Sequence, residues 1–233
     1  EYHTVETLDA LLEYRNSGGF LSYLGGNGFY WKIARQDQDP DILEIRRAED
    51  GIRAWASEPG EYYNSFDGKY GGLWRRNGRP PQQLVGVGFT AQGTFIGMPY
   101  KRSSYDPAMD WVFESIETKI LGDFGFSGNG AAGFELDRVD PFLDEGHDIE
   151  ILAQSYDTKR DFMLVPEEQL THLTNISGHS EDYVRRADMI YFEVEGGGSV
   201  FSTGSITFCG SLPWNNFNNN ISKLLMNIFA KRL

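Results

Sequence analysis

FLSYLGGNGFYW, Phe20 to Trp31, is the stretch on which the fold turns. Its first five residues read as a short buried strand, which stops at Gly25-Gly26-Asn27-Gly28. Upstream, Val5, Leu8, Leu11 and Leu12 recur at three- and four-residue spacing, which predicts an amphipathic helix over Val5–Tyr14. Thr4 is the predicted N-cap, Glu6 suits the positive end of the helix dipole, and Gly18-Gly19 predicts the stop. Helix, glycine stop, buried strand and glycine-rich turn is the grammar of an α/β layer built on a parallel sheet. The turn Gly25–Phe29 has the spacing of a nucleophile elbow, with Asn27 where Ser or Cys would stand. Such a turn lifts one side chain above the carboxyl edge of a sheet. Asparagine is no nucleophile, but its amide can donate to an oxyanion or orient a water. The alternative is a plain turn in which Asn27 tolerates positive φ.

Outward from this turn, strands are predicted at Asp148–Leu152, Phe162–Val165, Met189–Val194, Ser199–Thr203 and Ser205–Phe208. Gly196-Gly197-Gly198 makes a tight link between two of them. A final helix is predicted over Ile221–Lys231, striped by Ile221, Leu224, Leu225, Ile228 and Phe229. Asn218–Asn220 would cap it, and Lys231 and Arg232 suit its negative end. Residues 32–147 change character, with short strand candidates at Ile42–Arg47, Leu84–Phe89 and Lys119–Leu121. Turn signals such as Asp50-Gly51, Glu58-Pro59-Gly60 and Asn77-Gly78 separate them. Trp31, Trp55, Tyr62, Tyr63, Tyr70, Trp74 and Trp111 make the block aromatic-rich. It reads as a long β-and-loop insertion within one α/β domain covering 1–233. Its stretch Glu58–Arg76 suits a pocket for a small organic molecule, and equally a sugar-binding surface.

The chain has 233 residues, enough to bury a sizeable core without disulfides or metals. With 21 Lys+Arg against 34 Asp+Glu, the net charge is −13, which argues against nucleic acid or an anionic membrane as main partner. The single Cys209 forms no internal disulfide, and Ser205–Gly210 predicts a buried structural thiol. No apolar run reaches membrane-span length and no signal peptide is visible, so a cytoplasmic location is expected. The opening at Glu1-Tyr2, without Met, reads as a processed chain or a piece of a longer one. Glu135, after the glycine-rich Gly130-Ala-Ala-Gly133, suits a general acid/base or a carboxylate that supports one. The alternative is a surface strand with Asp137 and Arg138 as a solvated pair. His3, His147, His172 and His179 form no HExxH pair and no zinc spacing. His179 suits a loop near a site or a plain surface. Gly86-Val87-Gly88 lacks the third glycine of a dinucleotide fingerprint.

Six segments carry a resemblance: Tyr23–Trp31, Ile52–Tyr63, Tyr70–Trp74, Leu84–Gly93, Gly130–Arg138 and Arg186–Glu193. Together they resemble the C-terminal part of the large (beta) subunit of the N,N-dimethylformamidase family, in order and over nearly the whole chain. The resemblance implies a glutamine-amidotransferase-like α/β fold, a flavodoxin-like layered architecture. It implies hydrolysis of N,N-dimethylformamide to dimethylamine and formate. It also implies one non-haem iron bound by two tyrosines and one glutamate, oxygen donors that suit Fe(III). Such a metal would polarise the formyl oxygen or lower the pKa of a bound water. The family's ligand glutamate stands in a His-Pro-Glu-Tyr motif, so the resemblance assigns Glu1 as metal ligand, with the His-Pro half missing here. It matches Asn27 to the family's elbow asparagine, with a substrate- or water-orienting role, and Glu135 to its site glutamate. The two tyrosine ligands lie upstream of this chain in the family, so Tyr2, Tyr23 and Tyr30 are not assigned to them. A small partner subunit and self-association are implied too. Two alternatives stand beside this reading: a relative acting on another small amide, and a non-catalytic amidotransferase-like binding module.

Overall fold

The computed structural model describes residues 1–47, 58, 60–157, 161–165 and 181–232. Helix α1 spans Val5–Asn16, and Thr4, in extended conformation, accepts a hydrogen bond from the Thr7 N–H as its cap. Strand β2, Phe20–Tyr23, follows after Gly18 (φ 96°) turns the chain. β2 is the edge of a six-stranded sheet. Next to it lies β12 (Ser199–Ser202), then β11 (Arg186–Glu193), β9 (Glu150–Tyr156), β6 (Tyr100–Arg102) and β7 (Ile120–Leu121).

The predicted parallel sheet needs correction. β2 and β12 are parallel, with Tyr23 opposite Ser202, but the other four pairings in this sheet are antiparallel. The reason is connection length. Only 194–198 separate β11 from β12, and Val194 N–H bonds to Gly198 O at 2.9 Å. That link is a hairpin, whereas a parallel crossover needs about a dozen residues.

Side chains alternate across β11. Met189 and Tyr191 join a core with Tyr100, Leu152, Ile221, Leu224 and Ile228, while Ile190 and Phe192 join Leu8, Leu84, Val85 and Val200. The sheet is therefore covered on one face by the last helix, Asn220–Arg232, and on the other by α1. Asn219 Oδ1 accepts from the Ser222 N–H at 2.9 Å, so the asparagine run does cap the last helix.

Two smaller sheets complete the described fold. β1 (Tyr2–His3) pairs parallel with β3 (Trp31–Arg35), which pairs antiparallel with β4 (Leu43–Ile45). β5 (Gly88–Met98) runs antiparallel between β10 (Phe162–Leu164) and β8 (Ala132–Arg138). The 32–147 block thus sends β6 and β7 into the six-stranded sheet and pairs β5 with β10.

Two strand expectations fail. Leu84–Phe89 is split. Pro81–Val85 is a short helix, α2, because extended Pro80 and Pro81 preset its first turn and left-handed Gly86 caps it. Ser205–Phe208 is no strand either. Gly204 (φ 67°) turns the chain out of β12, and a short helix, Phe208–Ser211, follows. Cys209 sits on that helix and is exposed, not buried, with its thiol toward Leu24 O at 3.5 Å. Trp55 and the Asp50-Gly51 and Pro59 turn signals lie outside the described residues. Among the described residues no helix is long and apolar enough to cross a membrane.

Candidate active site

The site begins on β8. Leu136 points into the core, so Glu135 and Asp137, one residue to either side, share the opposite face. That face meets the turn that follows β2. The turn leads into β3 rather than into a helix, so it is a strand–turn–strand corner and not a full nucleophile elbow.

The residues of the corner divide the work between them. A Cβ on Gly26 would lie 2.9 Å from Glu135 Cβ, and one on Gly28 would lie 2.6 Å from the Tyr23 ring. These glycines permit close approach. The left-handed positions are taken by Asn27 (φ 56°) and Phe29 (φ 55°). Asparagine tolerates that conformation better than most residues.

Asn27 is 5% exposed and gripped through both backbone and side chain. Its backbone N–H donates to Asp137 Oδ1 at 2.9 Å, and its Nδ2 donates to Glu135 Oε1 at 3.2 Å. The next amide, Gly28 N–H, donates to Tyr23 Oη at 2.6 Å, and that hydroxyl donates to Asp137 Oδ2 at 2.9 Å. The carboxylate fixes the amide's orientation, since a flip would set two acceptors face to face. Asn27 Oδ1 is left buried with no hydrogen-bond partner.

Burial pushes the Asp137 carboxyl up to about 7; the Asn27 N–H and Tyr23 hydroxyl pull it down, and Glu135 pushes it up. The Tyr23 hydroxyl is held well above its ordinary value by burial and by Asp137.

Glu1 is exposed beside the same corner. Its carbonyl accepts from the Tyr30 and Trp31 N–H groups at 3.0 and 2.9 Å. His3 stacks on Phe29 at 4.6 Å, and burial lowers its pKa. Among the described residues no group of three or more His, Cys, Asp or Glu could hold a metal. Glu1, exposed and held by its backbone carbonyl, offers a carboxylate of the type that suits one arm of an oxygen-ligand site. The described residues do not fit a whole one.

The predicted site residues therefore fall near one corner. Asn27 and Glu135 are in contact, and the Glu1 carbonyl is held by Tyr30 and Trp31, just past the turn that carries Asn27. The surface-strand alternative for Glu135 is corrected: Glu135, Asp137 and Arg138 are all buried, and Arg138 pairs with Asp140 at 3.1 Å rather than with Asp137. Tyr23 and Asp137 had no place in the predicted set. The signal for Asp137 was one strand period from Glu135, and for Tyr23 its position at the end of the strand that enters the turn.

Other candidates fall elsewhere. His147 contacts Gln83 O through Nε2 at 3.0 Å and stacks on Phe192, a packing role. His172 and His179 lie outside the described residues. Trp74 is core and donates to His3 O at 3.2 Å, so this part of the aromatic stretch Glu58–Arg76 packs the protein's interior. Phe66, Asp67 and Lys69 line an open cleft of about 610 Å³ with Thr4, Glu6 and Arg35, which includes neither Asn27 nor Glu135.

Comparison with known proteins adds a family. A family model described as N,N-dimethylformamidase beta subunit-like, C-terminal, matches residues 1–221. The N,N-dimethylformamidase beta subunit of Paracoccus aminophilus is 35% identical over 99% of this chain and 30% of its own length. The N,N-dimethylformamidase beta subunit of an Alcaligenes species is 36% identical over 98% of this chain and 30% of its own length. This chain thus spans about 30% of the length of the curated relatives it matches.

Proposed function

The chain belongs to the N,N-dimethylformamidase beta subunit-like, C-terminal family, and on that premise we propose that it carries part of the catalytic site of an amide hydrolase. The proposed reaction converts N,N-dimethylformamide and water to dimethylamine and formate. The observation that carries the reading is the gripped amide of Asn27, with Nδ2 on Glu135 and Oδ1 buried and unpartnered. A buried acceptor without a donor costs about 1–3 kcal/mol. A ligand donor would remove that cost. Dimethylformamide has no N–H, so the donor in its complex is the attacking water. One water O–H would point to Asn27 Oδ1, leaving a lone pair toward the formyl carbon. Glu135 would take the water's proton as the C–O bond forms, then give it to the nitrogen as the C–N bond breaks.

Glu1 is proposed as one oxygen ligand of an iron whose other ligands lie outside this chain. Such an iron, when bound, would supply Lewis-acid polarisation of the formyl oxygen. The amidotransferase-like fold, a small partner subunit and self-association are part of the same proposal, resting on the resemblance. The relatives' names as beta subunits support a multi-subunit assembly.

The test is dimethylamine release by the full-length protein produced with iron. Asn27→Ala and Glu135→Gln are each expected to lower kcat by at least about tenfold with iron content unchanged. Glu1→Gln is expected to lower iron occupancy. Retained iron and turnover in all three would contradict the proposal. A second reading has its own support in the same atom: an open acceptor equally suits the N–H of a primary or secondary amide. Faster turnover of formamide or N-methylformamide than of dimethylformamide would favour it. A folded protein with neither iron nor amidase activity would favour a binding module.

A further inference from the structure

We propose that Tyr23 and Asp137 are positioning residues, a hydrogen-bonded clamp that locks Asn27 in its left-handed corner and so aims its side-chain amide. Four bonds make the clamp. Asn27 N–H donates to Asp137 Oδ1, Gly28 N–H to Tyr23 Oη, Tyr23 Oη–H to Asp137 Oδ2, and Asn27 Nδ2 to Glu135 Oε1. The first three close a ring through consecutive backbone amides, which fixes the peptide plane between Asn27 and Gly28. The fourth sets the side chain against that fixed backbone.

The two clamp residues come from different sheets. Tyr23 ends β2 of the six-stranded sheet, and Asp137 lies on β8 of the sheet built around β5. Asp137 is tied further by its own N–H, which donates to Gly204 O at 2.8 Å in the turn that leaves β12. One strand therefore presents Glu135 to the side chain of Asn27 and Asp137 to its backbone. The distance between those two grips is set by the pleat of β8, not by loop geometry.

The composition of the clamp argues against a merely structural part. Asp137 is fully buried, and among the described residues it makes no ion pair with Lys or Arg. A buried carboxyl without a cation is costly to ionise, and a corner needing only stability is met more cheaply by an acceptor that carries no such cost. Gly28 reinforces the point, since a Cβ there would displace the Tyr23 ring and hydroxyl, lying 2.6 Å from each. The corner keeps the glycine and the phenol together.

The experiment uses the full-length protein with Tyr23→Phe, Asp137→Asn and Asp137→Ala, and it has two readouts. The first is hydrogen exchange by mass spectrometry, which needs no substrate. Tyr23→Phe should speed exchange in peptides covering 24–30 and leave those covering 220–232 unchanged. Unchanged exchange at the corner would overturn the clamp, and so would equal acceleration in both regions, the mark of general destabilisation. The second readout is kinetic and rests on the amide-hydrolase reading. Tyr23→Phe should lower kcat by about tenfold or more with KM changed less than about twofold. Asp137→Asn keeps an acceptor for the Asn27 N–H, so it should retain more activity than Asp137→Ala. Tyr23→Phe combined with Asn27→Ala should be no slower than Asn27→Ala alone, because the clamp acts only through that amide. Additive losses would overturn it. If the wild-type protein released no amine, the functional reading would fall while exchange still decided the clamp.

Discussion

Gly26 and Asn27 are adjacent and answer opposite demands. Gly26 is where β8 comes closest: its missing Cβ makes room for Glu135 Cβ at 2.9 Å and for Glu135 O at 3.1 Å. Gly26→Ala is therefore expected to push β8 away and cost about 1–3 kcal/mol in urea unfolding, with loss of turnover. Wild-type stability and turnover in that variant would deny the close approach. Asp137 gives a prediction in pH. Its folded-state pKa of about 7 lies above the ordinary carboxylate value of about 3.9. The folded state keeps a proton that the unfolded state releases between those values. This contribution to stability is fully present below about pH 4 and is lost as pH rises through about 7, at about 1.4 kcal/mol per unit of displacement. Melting from pH 4.5 to 8 should show wild type losing stability relative to Asp137→Asn; parallel curves would contradict the assignment. At this scale the sequence makes Asn27 and Glu135 legible, because glycines mark both. It hides Tyr23 and Asp137, because the bond from Asn27 to Asp137 spans 110 positions and neither partner carries a local mark.

Elements were legible where their period was local. α1 and the last helix follow apolar stripes and caps written within a dozen residues. Strand direction is written locally only in part: the short Gly196–Gly198 link already dictates the antiparallel β11–β12 pair, while the parallel pairing of β2 with β12 joins opposite ends of the chain. Leu84–Phe89 misleads because its apolar run straddles α2 and β5, and Gly86 between them is a helix stop. Ser205–Phe208 misleads because the chain has already turned at Gly204. The last helix offers a test of element packing. Ile228 is fully buried, and Ile228→Ala should cost about 2–5 kcal/mol by chemical denaturation. Met226, on the same helix, is 66% exposed, and Met226→Ala should change stability by about 0.5 kcal/mol or less. Equal costs would mean that the helix does not bury the face described.

At the scale of the whole molecule, the family match covers residues 1–221, while the chain spans about 30% of its curated relatives. The proposed chemistry divides in the same way. On that proposal, Asn27 with its clamp and Glu135 would be this chain's share of the site, and Glu1 would bring one carboxylate to a metal whose other ligands lie outside this chain. That division rests on the family resemblance alone, whereas the meeting of β8 with the corner after β2 is a feature of the fold. The most direct test is dimethylamine release from N,N-dimethylformamide by the iron-loaded full-length protein, wild type against Asn27→Ala. Wild type is expected to release amine, and the variant to lose at least about tenfold at equal iron content. Undiminished release by Asn27→Ala, or none from the folded, iron-loaded wild type, would contradict the proposal.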